Sequence, residues 1–262
     1  MNLRYWLGTI IATPLLPIMA MQGKRIRKAV PPLPPAEGPQ GSASFPSDDH
    51  LRLLAIGEST IAGFGVATHE EGFTGTLARE LSAMLASNVT WRVYARGGYT
   101  ADRVRLKIIP KIEEEQADLI VVGLGGNDAF TLNRPWRWRA HIRKLILAIR
   151  ERFPDSPIIF TNMPPIKEFP AFTPLIKWVV GNLVEILGNE LTKEVSEHEN
   201  VFYSAEIITM KGWLRKRNMS GQVSDFFSDG VHPSLITYQV WAKDLAEFVV
   251  ANKIVTFPPN QR

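Results

Sequence analysis

The 262-residue sequence contains no cysteine. This absence excludes disulfide bonds, thiolate metal sites and a cysteine nucleophile. An excess of positive charge is also missing from most of the chain. Residues 1–40 carry five of the 30 Lys and Arg residues and one of the 26 Asp and Glu residues, so residues 41–262 are neutral, with 25 of each. A neutral body argues against a nucleic acid as the partner, because phosphate backbones are bound by clustered positive charge.

Charged residues are also absent between Tyr5 and Met21, a run of 17 residues at the short end for a helix that spans a bilayer. Pro14 and Pro17 favour a signal anchor or a re-entrant membrane hairpin. A cleaved signal peptide and a core helix are the alternatives. We therefore expect residues 1–28 to form a membrane-associating segment, with residues 5–21 as its apolar part.

A basic cluster and a linker follow this apolar run. Four basic residues fall within five positions, at Lys24, Arg25, Arg27 and Lys28. By the positive-inside rule they favour a cytoplasmic catalytic domain, while a periplasmic or secreted location stays open. Residues 29–46 are rich in Pro, Gly and Ser, which is typical of a semi-rigid linker.

From residue 47 to residue 255 the sequence alternates between two patterns. Short apolar runs predict strands, and segments with apolar residues at helical spacing predict helices. The predicted strands are 53–57, 89–95, 118–124, 157–163 and 201–204. The predicted helices are 71–87, 100–111, 135–153, 174–197 with a break near Gly188, and 233–252. This alternation predicts an α/β domain with a five-stranded parallel sheet and helices on both faces.

Three of the predicted strands end in residues that suggest chemistry. The first ends in Gly57-Glu58-Ser59, the second runs into Gly97-Gly98, and the third ends in Gly125-Gly126-Asn127-Asp128. The carboxyl ends of parallel strands meet at the edge where open α/β sheets bind ligands. A serine hydroxyl, an unobstructed backbone N–H group and an amide at this edge could bind and attack an ester carbonyl.

A serine nucleophile needs a base, and the sequence favours His232 among its five histidines. Asp229 precedes His232 by three residues, so a turn can bring its carboxylate to one ring nitrogen. His50 precedes the first strand and is predicted at the opposite sheet edge. His69 could line the mouth of the site but has no orienting acid nearby. The remaining two are predicted on the surface, His141 and His198.

Taken in order, these blocks resemble those of the SGNH hydrolases, also called GDSL-type esterases and lipases, over residues 50–250. The resemblance implies a flavodoxin-like three-layer α/β/α sandwich. It also implies a catalytic triad of Ser59 as nucleophile, His232 as general base and Asp229 as its orienting partner. The implied oxyanion hole consists of the Ser59 N–H group, the Gly98 N–H group and the Asn127 side chain. No metal or cofactor is required.

Two features depart from the family pattern. Glu58 stands where the family usually has Asp, and Arg96 lies where a smaller polar residue is usual. Arg96 is expected to pair with Glu58, to contact an anionic substrate, or to face solvent.

We therefore expect a serine esterase that hydrolyses acyl esters through an acyl-enzyme intermediate. A lipophilic small-molecule ester is the expected substrate, and residues 168–188 are either a lid or a structural helix. Three alternatives stay open: an acyltransferase or a thioesterase on the same triad, and a non-catalytic, membrane-tethered binding protein of the same fold. The sequence leaves the oligomeric state open.

Overall fold

One sheet of six strands organises residues 3–256, the part of the chain that the computed structural model describes. The strand order is β1-β3-β2-β4-β5-β6, and β2 to β6 are parallel. The strands are β1 (Gln40–Ala43), β2 (His50–Gly57), β3 (Asn88–Ala95), β4 (Leu119–Gly123), β5 (Ile158–Phe160) and β6 (Val201–Tyr203).

The sixth strand corrects the predicted count of five. β1 comes from the segment predicted as a linker and pairs antiparallel with β3 at the edge of the sheet. It has no apolar run, so hydrophobic periodicity gives no strand signal there. A Cβ atom at Gly41 would collide with the indole of Trp91, its partner on β3, so this glycine leaves room for the Trp91 side chain beside β1. The domain boundaries at residues 28 and 46 stay a prediction.

Helices cover both faces of the sheet. The first of two layers contains α3 and α9, which pack against each other, and the second contains α4, α6 and α7. The helices are α1 (Leu3–Ala12), α2 (Leu16–Ala29), α3 (Phe73–Leu85), α4 (Ala101–Lys107), α5 (Gly126–Phe130), α6 (Pro135–Arg152), α7 (Pro174–Val195), α8 (Met210–Lys216) and α9 (Leu235–Ala251). The three-layer α/β/α sandwich is therefore confirmed.

The connections create a crevice at the carboxyl edge. The chain leaves β2 toward β3 on one side, and it leaves β4 toward β5 on the other side. Adjacent strands whose connections run in opposite directions open a crevice between their carboxyl ends, where ligands bind in such sheets. Both strands are held rigidly, since β4 is buried along its whole length and β2 is buried from Leu53 to Gly57.

The N-terminal segment is helical. α1 and α2 are joined by a 3-10 turn, Thr13–Leu15, which contains Pro14. Among the described residues, one helical segment, Leu3–Ala29, is long and apolar enough to cross a membrane by length and composition. Residues 1 and 2 of the predicted membrane-associating segment lie outside the described residues.

Candidate active site

Ser59 follows β2 at the carboxyl edge of the sheet. Gly57, the last residue of β2, has no room for a side chain, because a Cβ atom would collide with the Gly123 carbonyl oxygen of β4. The chain then turns sharply: Ala62 N donates to Glu58 O (2.9 Å) and Phe64 N donates to Ser59 O (3.1 Å). The turn leaves Ser59 half-buried at the crevice between β2 and β4.

Asp229 and His232 form a hydrogen-bonded pair, as their spacing predicts. Asp229 Oδ2 lies 2.8 Å from His232 Nδ1. Asp229 Oδ1 accepts hydrogen bonds from the backbone N–H groups of Val231 (2.9 Å) and His232 (2.7 Å). Burial alone would raise the pKa of Asp229, but these three hydrogen bonds keep that pKa below its ordinary value. The carboxylate is therefore ionised and fixed against the ring.

The loop of the Asp229–His232 pair is held against the Ser59 turn. Tyr238 Oη, on α9, donates to Phe64 O at 2.8 Å. The Phe64 ring packs against the His232 ring, with 5.2 Å between the ring centroids. A Cβ atom at Gly65 would collide with the Pro233 carbonyl oxygen, so the two loops approach closely. Among the described residues, no hydrogen bond joins Ser59 to His232, a contact that often tightens only when substrate binds.

Two of the predicted oxyanion donors have free backbone N–H groups. Neither Ser59 N nor Gly98 N donates to an acceptor within residues 3–256. Gly98 has a positive φ of 79°, and no atom lies within 4 Å of the position that its Cβ would occupy. A glycine here adopts this left-handed backbone without strain and leaves its N–H group accessible.

The third predicted donor, Asn127, is engaged with other groups. Its Nδ2 atom forms a short hydrogen bond to Glu58 Oε2 and a second one, of 3.2 Å, to Tyr99 O. A primary amide has two N–H donors, so both are in use. Asn127 therefore lies at the crevice, and its side chain is oriented by Glu58 and Tyr99.

Sequence reasoning missed the role of Glu58. Its carboxylate is buried at the N-terminus of α5, where it accepts hydrogen bonds from Gly126 N (2.8 Å) and Asn127 N (3.0 Å). Burial raises the pKa of Glu58 to about 7, although the hydrogen bonds from Asn127 and Gly126 oppose this shift. Of the alternatives for Arg96, pairing with Glu58 is wrong and the solvent-facing one holds, since Arg96 is exposed and lies over the Tyr99 ring. No local sequence signal marks this role, because Glu58 and Asn127 are 69 positions apart and meet only in the folded sheet.

Asp128 fixes the position of α5, the short helix that carries Asn127. It is completely buried, accepting hydrogen bonds from Ala101 N (2.8 Å) and Asn133 Nδ2 (2.9 Å). Burial raises its pKa. Asp128 thus joins α5 to the first turn of α4 and fixes the short helix that carries Asn127.

The remaining histidines lie away from this arrangement. His69 is buried beneath the Ser59 turn, and burial lowers its pKa to about 4, so it is neutral and does not line the mouth. His50 contacts Thr90 Oγ1 (3.1 Å) at the opposite end of β2, as predicted. His198 Nε2 lies 3.0 Å from the buried Glu194.

Aromatic side chains border the mouth of the crevice. Phe172 contacts both Phe130 and Phe169, with 5.3 and 5.4 Å between ring centroids. Ala171 N donates to Gly230 O (3.1 Å), so this aromatic loop adjoins the Asp229–His232 loop. Residues 174–188 belong to the structural helix α7, which is continuous from Pro174 to Val195 and packed against α6, where Trp138 Nε1 donates to the Leu187 carbonyl oxygen.

The sheet topology and the residues at its carboxyl edge are those of a hydrolase of the three-layer α/β/α class. The model of the GDSL-like Lipase/Acylhydrolase family matches residues 55–240, well over half of the chain. The chain therefore belongs to this family, the SGNH hydrolases, and is an ester-hydrolysing enzyme. The resemblance carried by its four sequence blocks is confirmed.

Solved structures share the fold at low sequence identity. TesA has a TM-score of 0.57 at 18% identity, covering 78% of this chain and 99% of its own. The lipase/acylhydrolase from Enterococcus faecalis has a TM-score of 0.56 at 17% identity, covering 81% and 100%. The Clostridium thermocellum family 3 carbohydrate esterase has a TM-score of 0.54 at 15% identity, covering 78% and 97%. None of the curated protein sequences compared with the chain matches it.

Proposed function

We propose that the chain hydrolyses carboxylic esters with Ser59 as nucleophile, His232 as general base and Asp229 as the residue that orients His232. The observation that supports this best is the 2.8 Å contact between Asp229 Oδ2 and His232 Nδ1, on a loop packed against the Ser59 turn. A carboxylate at Nδ1 stabilises the tautomer whose Nε2 atom accepts a proton.

The reaction then proceeds in two halves. His232 Nε2 takes the Ser59 hydroxyl proton while Oγ bonds to the acyl carbon, and it returns that proton to the alcohol as the ester C–O bond breaks. Water attacks the acyl-enzyme in the second half: His232 takes its proton and returns it to Ser59 Oγ as the acid leaves.

The proposed oxyanion hole has two donors that are free in the structure and one that is already hydrogen-bonded to other groups. The Ser59 and Gly98 N–H groups are free, so they can bind the developing negative charge directly. The Asn127 amide becomes the third donor by exchanging its longer contact, 3.2 Å to Tyr99 O, for the oxyanion. Its bond to Glu58 then holds the amide in place during this exchange.

Turnover of a short p-nitrophenyl ester tests the proposal. Ser59→Ala and His232→Ala should each lower kcat by about 10⁴-fold or more, as expected when members of one catalytic unit are removed. His50→Ala is the matched control, since His50 lies at the other end of β2 and should leave kcat unchanged. Turnover by folded, purified Ser59→Ala at the wild-type rate would refute the assignment.

We also infer that residues 5–21 attach the enzyme to a membrane. The run lies within the helical segment whose length and composition suit a bilayer, and exposed cations follow it at Lys24, Arg25, Arg27 and Lys28. Apolar residues followed by basic ones are typical of segments that bind lipid. The substrate class that fits this attachment is a lipophilic acyl ester.

A further inference from the structure

The N-terminal helical segment lies along the catalytic domain, antiparallel to α7. Near its start, Arg4 Nη2 donates to Glu185 Oε2 (2.7 Å) and to Asn182 Oδ1 (3.0 Å). Near its end, the Gln22 side chain accepts a hydrogen bond from Thr173 Oγ1 (2.6 Å). Because contacts are made at both ends, the segment is held flat on α7 rather than projecting from the domain.

The outward side of this segment is apolar and exposed. Ile10 is 68% exposed, and few of the residues between Leu3 and Ala29 are buried. The other large apolar side chains exposed on this side are Leu3, Trp6, Ile18 and Met21, while the exposed Leu7, Ile11 and Leu16 line the groove between α1 and α7. Such a row on a helix that is already docked on its other side needs a second apolar surface or a lipid layer to cover it.

The apolar surface continues onto the catalytic domain. The Trp6 ring stacks on Trp136 of α6, with 6.0 Å between the ring centroids. A largely apolar groove of about 410 Å³ separates α1 from α7, with Leu132 and Trp178 on its walls. Trp136 and Trp178 are 50% and 43% exposed. Tryptophans at the boundary of an apolar surface are typical of the headgroup region of a bilayer.

Positive charge accompanies this surface. The four cations of α2, Lys24, Arg25, Arg27 and Lys28, are exposed and form no salt bridge within the described part of the chain. Arg134 and Arg137 flank Trp136, are also exposed, and have no carboxylate partner among residues 3–256. Cations without a carboxylate partner, beside exposed Trp and Ile side chains, are complementary to anionic headgroups over an acyl layer.

We propose that this membrane face, made of the outward side of α1 and α2 together with Leu132, Trp136 and Trp178, rests on an anionic phospholipid bilayer. The N-terminal segment then lies in the plane of the headgroups and does not cross the membrane. It remains bound to α7 through Arg4 and Gln22 while its exposed side enters the lipid.

This orientation on the bilayer also indicates the source of the substrate, an inference that rests on the proposed function. α5 carries Asn127 near its start and the exposed Phe130 at its end, and Leu132 of the membrane face follows two residues later. Five helical residues span only about 7.5 Å. The mouth of the crevice is therefore close to the lipid surface, and the substrate is an acyl ester held in that surface.

Co-sedimentation of the full chain with vesicles tests the membrane face. We expect binding to vesicles of phosphatidylcholine with phosphatidylglycerol, and much weaker binding to phosphatidylcholine alone. Trp136→Ser with Trp178→Ser should lower vesicle affinity at least tenfold while leaving hydrolysis of a soluble short ester intact. Met84→Ser, an exposed side chain on α3 in the opposite layer, is the matched control and should bind as wild type does.

The depth of the segment distinguishes an in-plane helix from a crossing one. Because the chain has no cysteine, Gly8→Cys and Gly23→Cys each give a single labelling site, and both positions have open space around them. Fluorophores there should be quenched equally by shallow lipid quenchers. In a crossing helix the two positions would differ in depth by about 22 Å, and such a difference would overturn the proposal.

Three other outcomes also have clear meanings. Unchanged vesicle binding by the double tryptophan variant would overturn the membrane face. So would a dimer that forms without lipid and dissociates in that variant, because a second copy would then cover the surface. Vesicle binding by a wild-type chain that hydrolyses no ester would refute the proposed function and leave the membrane face standing.

Discussion

The Glu58 carboxylate lies against the first turn of α5, where it receives hydrogen bonds from Gly126 and from both the backbone and the side chain of Asn127. Its burial makes the charged form costly, which is why its pKa is raised to about 7. Glu58 therefore acts on Asn127 as a positioning residue.

The raised pKa of Glu58 predicts a specific pH dependence of stability. Between its ordinary pKa of 4.5 and about 7 the folded chain binds the Glu58 proton more tightly than the unfolded chain does, so this group's contribution falls as pH rises through that window. The loss amounts to at most about 3 kcal/mol. Urea unfolding at about pH 5 and about pH 8 should show that wild type loses stability relative to Glu58→Gln as pH rises, because the glutamine side chain is uncharged at both pH values.

The exposed Glu151→Gln is the control for that measurement and should follow wild type at both pH values. A stability difference between wild type and Glu58→Gln that does not change with pH would mean that Glu58 is ionised throughout.

The candidate triad could be predicted from the sequence because its members stand in short blocks. Asp229 and His232 are three residues apart, so local backbone geometry alone brings carboxylate and ring together. The contact between Glu58 and Asn127 could not be predicted in this way. It depends on side-chain rotamers of residues that are far apart in sequence and meet only after β2 and β4 have paired.

At the scale of elements, Gly188 shows that a glycine within a helical pattern does not always mark a break in the helix. The sequence predicts a break near Gly188, yet the helix runs without interruption from Pro174 to Val195. A Cβ atom at Gly188 would lie 3.1 Å from Tyr203 Oη and 3.3 Å from Met163 Cγ. The glycine thus allows close packing of α7 on the sheet and does not end the helix.

Replacing Gly188 should therefore destabilise the fold in proportion to side-chain size. Gly188→Val should lower the free energy of unfolding by about 1–3 kcal/mol, because the added methyl groups overfill the contact with Tyr203 and Met163. Gly23→Val, at a helical glycine in open space, controls for the propensity change. Urea denaturation of both variants is the measurement, and equal effects would show that packing at Gly188 is not limiting.

Long apolar elements were predictable, and short or edge elements were not. Continuous apolar runs in the sequence predict β2 and β4. α5 and α8, with five and seven residues, are too short for a helical period to be recognised. β1 is an edge strand that pairs with β3 and leaves room at Gly41 for the Trp91 side chain, which is a tertiary effect.

At the scale of the whole molecule, the catalytic edge of the sheet and the membrane face are neighbours. α5 connects them, since it begins at the Glu58–Asn127 contact and ends at exposed Phe130. The sequence predicts an apolar, basic-flanked segment. It does not predict how that segment lies, because its docking depends on Arg4, Gln22 and the distant residues of α7 that they contact. An esterase held in this way would act on esters in the lipid surface.

Labelling with a fluorophosphonate, followed by mass spectrometry of the digested protein, tests the central claim most directly. The reagent reacts with a serine hydroxyl only when a neighbouring base activates it. We predict a single labelled peptide containing Ser59 in wild type, and loss of that label in folded His232→Ala. Label on another serine, or equal labelling of Ser59 in His232→Ala, would contradict the proposed Ser59–His232–Asp229 mechanism.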